Sequence, residues 1–219
     1  MKKTATQESQ IVIKAPNFKV LECAIIGTAP FVSNNFAQEA IDLMKADMEA
    51  GAKSKQAKAK REPKDFDAGY KGSIHVAEEG WFGQSANAYK SALVRACSML
   101  GVEMTKAKQC FFVLADGYEK ERATPLIKIT KGKPERFDSY VRNANGSPDI
   151  RARARWAAGW ECTLRVRYDA DMFTPEMVAN LIQRAGISVG IGAGRPFSTM
   201  SCGCGWGTWQ IGGSKEKKE

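Results

Sequence analysis

Histidine is nearly missing from this chain of 219 residues, with His75 the one example. Cys202 and Cys204 therefore have no imidazole partners and no second ligand pair at a metal-binding spacing, so neither a metal nor any other cofactor is expected. The other cysteines, Cys23, Cys97, Cys110 and Cys162, are scattered through apolar segments, which suits reduced buried thiols and not a secreted disulfide framework. No stretch approaches the roughly 18 apolar residues of a membrane span. Residues 1–10 are polar and lack the apolar centre of a signal peptide, so a cytoplasmic protein with no membrane partner is expected. Catalytic patterns are sparse as well. His75 has no Ser or Cys in a recognisable nucleophile motif and no carboxylate pair stands out locally, so no catalytic residue is assigned and His75 is read as structural. Asp65, Asp67, Asp138 and Asp149 fall in loops, where a metal-dependent nuclease could keep its acids and where turns ordinarily use aspartate.

Acidic residues are outnumbered, 24 against 33 lysines and arginines, giving a formal charge of +9 and a pI near 9.3. That balance favours a polyanionic partner, with nucleic acid first. A hydrophobic content of 43% excludes a mostly disordered chain. At this length folding buries roughly 70% of the surface of the unfolded chain, so a core is expected without disulfides or metal.

The apolar run at 20–26 reads as a first buried strand, closed by Gly27 and Pro30. A helix over 37–50 carries Ile41, Met44 and Met48 at helical spacing, and the chain then becomes a lysine-alanine run. From 45 to 64 there are seven basic residues, Lys58, Lys60 and Arg61 among them, against three acidic ones. This reads as an exposed insertion, either a solvated face or a grip on nucleic acid. Residues 84–100 form the first core helix, stopped by Gly101. Strands follow at 109–114 and 125–130, with a polar surface excursion over 131–147. Thr174 and Pro175 open a second core helix with Met177, Val178, Leu181, Ile182 and Ala185 on its apolar face, ended by Gly186, and a strand is expected over 187–191 and another over 206–211.

Residues 151–156 and 160–168 both alternate with period two, which predicts two strands joined as a hairpin through Ala157-Ala158-Gly159. Trp160, Cys162, Leu164, Val166 and Tyr168 share the core face of the second strand, and Arg165 and Arg167 share the other. With Arg151, Arg153 and Arg155 on the neighbouring strand, these five arginines repel one another unless an anion neutralises them, or else serve as the soluble charge of an edge hairpin. Trp156 is the ring most expected at the surface, placed among the arginines for stacking. Six glycines between 190 and 207, including Gly192, Gly194, Gly203 and Gly205, give a loop that either makes tight turns or lets backbone approach a phosphate beside Arg195. No helix follows these glycines, which excludes the P-loop and the dinucleotide fingerprint.

The order of elements predicts an α+β fold: a ferredoxin-like (RRM-like) βαββαβ core, one antiparallel sheet with both helices on one face and insertions at about 31–80 and 116–150. The expected layout is a flexible N-terminus over 1–18, a single domain over 19–211 and a charged tail over 212–219.

Three segments carry a resemblance: Ile25-Ile26-Gly27-Thr28-Ala29-Pro30-Phe31-Val32; the stretch from Trp81 through Gln84, Ser85 and Tyr89 to Leu93; and Gly190-Ile191-Gly192-Ala193-Gly194-Arg195-Pro196 with Gly205-Trp206-Gly207. They resemble phage and prophage proteins similar to the RAMP superfamily, the RNA-binding backbone and processing subunits of CRISPR effector complexes. The resemblance spans about residues 20–211 and implies a Gly-rich loop after the second helix. It implies RNA contacts at Gly192, Gly194, Arg195 and the turn holding Gly203 and Gly205, joined by Lys90 and Arg95 on the first core helix, and assembly as a homo-oligomer along the strand. Family nucleases often use a histidine near the first helix, whereas His75 precedes that helix without a clear partner, so a non-catalytic binder of single-stranded RNA or DNA is expected. A phage structural subunit and an RNA-processing nuclease are the alternative functions, and the host cytoplasm is the expected place if the chain is phage-encoded.

Overall fold

The computed structural model describes residues 14–35, 38–50, 63–120, 122–142, 146–198 and 203–212. In chain order the elements are β1 (Phe18–Gly27), β2 (Phe31–Val32), α1 (Gln38–Ala50), α2 (Phe66–Gly72), β3 (His75–Val76), β4 (Phe82–Ser85), α3 (Ala86–Met99), α4 (Met104–Cys110), β5 (Phe111–Leu114), β6 (Gly117–Tyr118), β7 (Pro125–Lys131), β8 (Glu135–Arg142), β9 (Pro148–Trp156), β10 (Glu161–Asp169), α5 (Pro175–Ser188) and β11 (Trp209–Ile211). The fold is mixed α+β, and the described strands pair antiparallel in two sheets.

In the larger sheet β1 lies between β11 and β10, and the far edge of β10 is shared: β5 pairs with residues 165–168 and β7 with 161–162. From β7 the sheet continues through β4 to β3, with β6 also on β7. The alternation in β10 works as expected. Trp160, Cys162, Leu164, Val166 and Tyr168 are buried with Ala92, Leu93 and Ala96 of α3 and Val178, Ile182 and Ala185 of α5. α5 starts as its sequence requires, with Pro175 in the first turn and the Thr174 hydroxyl accepting from the Met177 amide.

Three expectations are corrected. β9 and β10 are not a hairpin. β9 pairs with β8 along eight residues and with β2, forming the second sheet β2-β9-β8, while β10 pairs with β1 in the first. The linker Ala157-Ala158-Gly159 is a corner: the Gly159 amide donates to the Gly27 carbonyl and the Gly27 amide to the Trp160 carbonyl, so both chains change sheets side by side. Gly27 is required there, because a Cβ would overlap the Trp160 indole. The polar excursion over 131–147 contains β8, whose alternation is too polar to betray a strand until β9 is beside it. No strand forms over 187–191. α5 runs through to Ser188, and Gly186 is not its stop but the point where the helix touches the Trp209 backbone; the turn comes at Gly190, with φ +68°.

The helix expected over 37–50 is present as α1, yet Met44 and Met48 of its apolar stripe are exposed. The lysine run with Lys58, Lys60 and Arg61, residues 1–13, Cys202 and the tail over 213–219 lie outside the described residues. Among the described residues no helix is long and apolar enough to cross a membrane.

Candidate nucleic-acid interface

The second sheet presents the arginines. In β9, Ala152, Ala154 and Trp156 turn inward, so Arg151, Arg153 and Arg155 form a row on the other face. Trp156, expected outside, is completely buried, with its ring 5.3 Å from Phe31. The period-two pattern fixes its face, and that face is the core. The ends of the row are answered by carboxylates: Arg151 reaches Asp149 at 3.4 Å and Arg155 reaches Glu135 at 3.3 Å. Arg153, between them, is half-buried and has no acidic partner among the described residues. Burial, and then the charge of Arg151, hold its guanidinium below its ordinary pKa. Its partner across the sheet is Phe137, which also receives the Arg155 guanidinium at 5.0 Å and the edge of Trp206 at 5.5 Å.

The Gly-rich loop lies beside this row. Its glycines are accounted for largely by the loop's own packing. A Cβ on Gly192 would strike the Val32 carbonyl and Phe31, one on Gly194 the Trp206 ring, and one on Gly203 the Arg195 backbone; only Gly205 has open space around it. All four have positive φ. Arg195 donates to the Gly192 carbonyl at 3.0 Å, so it braces the loop as well as charging it.

The other two arginines belong to the larger sheet, on the face turned away from α3 and α5. Arg165 is neutralised, donating to Asp116 at 2.7 Å and to the Ala115 carbonyl at 3.1 Å. Arg167 has no acidic partner among the described residues and stands over Phe112 at 4.7 Å and Phe18 at 5.4 Å. Lys90 of α3 reaches the same Phe112 ring at 4.5 Å, so two unneutralised cations and two aromatic rings meet at this sheet edge. Arg95 is placed apart from them, stacked at 4.0 Å on Phe197. The five arginines thus form two groups on two sheets, not one.

Sequence reasoning overlooked Phe18, Phe112 and Phe137. Phe112 follows the fully buried Phe111, and in an unbroken apolar run nothing marks which of two adjacent rings faces out. Glu119 was missed as the partner of His75. Their Nδ1 and Oε1 lie 3.2 Å apart, and Asn35 donates to the same carboxylate oxygen at 3.1 Å. Burial pushes the Glu119 carboxyl up, but the His75 hydrogen bond and charge, the Thr124 hydroxyl and the Arg122 charge together outweigh it and hold it below the usual range. The pair ties β3 to the segment after β6. Burial pushes the Cys162 thiol up to about 12, which keeps it protonated. No family model and no curated protein matches this chain.

Proposed function

We propose that the protein binds single-stranded nucleic acid, RNA or DNA, without cutting it, in the cytoplasm and as a homo-oligomer assembled along the strand. The observation that carries this reading is Arg153. A half-buried guanidinium flanked by two arginines, with no carboxylate among the described residues, loses solvation without an ionic partner there, a cost that a phosphate oxygen would offset. Phe137 and Trp206 beside it, and Phe18 and Phe112 around Arg167, offer the ring faces that single-strand binders pair with cationic grooves. The net charge of +9 supports the same partner.

The fold supports it through a finer assignment. β1, α3, β5, β10, α5 and β11 follow the βαββαβ sequence, and their strands lie in the order β11-β1-β10-β5, as a ferredoxin-like, RRM-like core requires. In that reading Phe18 and Phe112 stand on the open sheet face, where RRM-type domains stack bases. The RAMP-like relationship rests on the same core and the Gly-rich loop.

The test is binding of labelled single-stranded RNA, single-stranded DNA and duplex at two salt concentrations, with a mass measurement on each mixture. Salt-sensitive single-strand binding with rising mass, and a strand left intact with and without Mg²⁺, are expected. No binding at low salt contradicts the proposal and favours a structural subunit; a cut strand makes the protein a nuclease.

A further inference from the structure

A cleft of about 290 Å³ opens where the Gly-rich loop meets the start of α3, lined among others by Phe31, His75, Gln84, Ser85, Ile191 and Arg195. Of its polar side chains, Ser33, Asn34, Gln84 and Ser85 carry both a donor and an acceptor, and Arg195 carries donors alone. α3 is 14 residues long, its N-cap Ser85 makes no side-chain capping bond, and no acid occupies its first turn, so the amides and positive pole of the helix are left for another acceptor. Ala88, in that first turn, lines the cleft.

Gln84 points to a ligand independently. It is 0% exposed, its Oε1 is taken by the Tyr89 hydroxyl, and its Nε2 has no hydrogen-bond partner among the described residues. A buried amide donor left unpaired is costly, and a cleft-lining one is relieved by an acceptor brought from outside. Arg195 adds a guanidinium of which one nitrogen is committed, to the Gly192 carbonyl. The Glu119 carboxylate, which is hydrogen-bonded to the cleft-lining His75, also accepts from Asn35 and is not part of the lining. Phe31 and Ile191 supply an apolar wall beside these donors.

We propose that this cleft is a nucleotide site: a terminal phosphate monoester sits at the N-terminus of α3 with Gln84 and Arg195, and the attached nucleoside lies against Phe31 and Ile191. The proposal does not rest on strand binding by the arginine row, since a free nucleotide and the phosphorylated end of a strand present the same chemistry.

The experiment titrates the full chain with adenosine 5′-monophosphate, inorganic phosphate and adenosine, following both heat of binding and thermal unfolding. Saturable binding of the monophosphate, at least tenfold tighter than adenosine, is expected. Gln84→Met should weaken it at least tenfold. Ser85→Asp, which supplies the missing cap and places a negative charge where the phosphate would sit, should raise the melting temperature while weakening the monophosphate at least tenfold. Oligonucleotides with and without a 5′-phosphate then separate the sources: competition by the phosphorylated strand alone assigns a strand end, and competition by neither assigns a free nucleotide. Absence of monophosphate binding at millimolar concentration, equal binding of adenosine, or unchanged affinity in folded Ser85→Asp protein overturns the proposal. Binding of the unphosphorylated strand reports separately on the arginine row.

Discussion

β9 and β10 are consecutive strands with nearly the same pattern, arginine alternating with apolar residues, yet they sit in different sheets and their charges meet different fates. In β10 one arginine is neutralised by Asp116 and the other is laid on two phenylalanines. In β9 the outer arginines have carboxylates and the central one has none among the described residues. Alternation decides which way a side chain points, and whether its charge is answered depends on where a carboxylate falls: Asp149 on β9 itself, Glu135 on the neighbouring β8, and Asp116 in the turn after β5.

The most disruptive way to sharpen this contrast is to attack the corner the two strands share. Trp156 and Trp160 are both buried and both approach Phe31, at 5.3 and 6.0 Å. Either one changed to Ala should cost about 3–5 kcal/mol by denaturant unfolding, and the double variant should cost less than the sum because the two share one packing site. Additive losses would mean that the sheets are stabilised separately.

Arg153→Gln comes next. It should lower single-strand affinity at least about tenfold, one charged phosphate contact being worth about 1.5–3 kcal/mol, and leave the melting temperature unchanged or raised. Arg165→Gln should behave in the opposite sense. Removing it strips a partly buried Asp116 of its ion pair and should lower stability by up to about 1 kcal/mol, with less effect on binding than Arg153→Gln. If the two variants behave alike, the distinction between the strands fails.

The smallest effect lies outside both strands. The Glu119 carboxyl is held below its usual value in the folded protein, so it contributes stability above about pH 4.5 that is lost as pH falls through its lowered folded value. Glu119→Gln should flatten the acid side of the stability profile. A profile identical to wild type would remove the His75–Glu119 pair from the stability account.

Much of the larger sheet is legible in the sequence because its patterns are local: the inward side chains of β10, and the Thr174-Pro175 start of α5. In the second sheet the strand β9 is legible and its pairing is not, since β8 shows only Phe137 and Val141 among polar residues and becomes a strand through pairing with β9. Gly186 reads as a helix stop and is a contact with Trp209, while at Gly192, Gly194 and Gly203, read as either tight turns or an approach for phosphate, a Cβ would meet the chain's own atoms. The arginines of the candidate site are visible from composition and period. Asp149 lies two residues from Arg151 and is visible beside it, whereas Glu135 and Asp116 reach Arg155 and Arg165 only through the fold.

The most direct measurement is the salt dependence of single-strand binding for the wild-type chain and Arg153→Gln, with thermal unfolding of both. The account predicts that the variant keeps its melting temperature, binds at least about tenfold more weakly, and shows a slope of log K against log salt shallower by about 0.7, the share of one phosphate on a single strand. A folded variant with unchanged affinity and slope would contradict it.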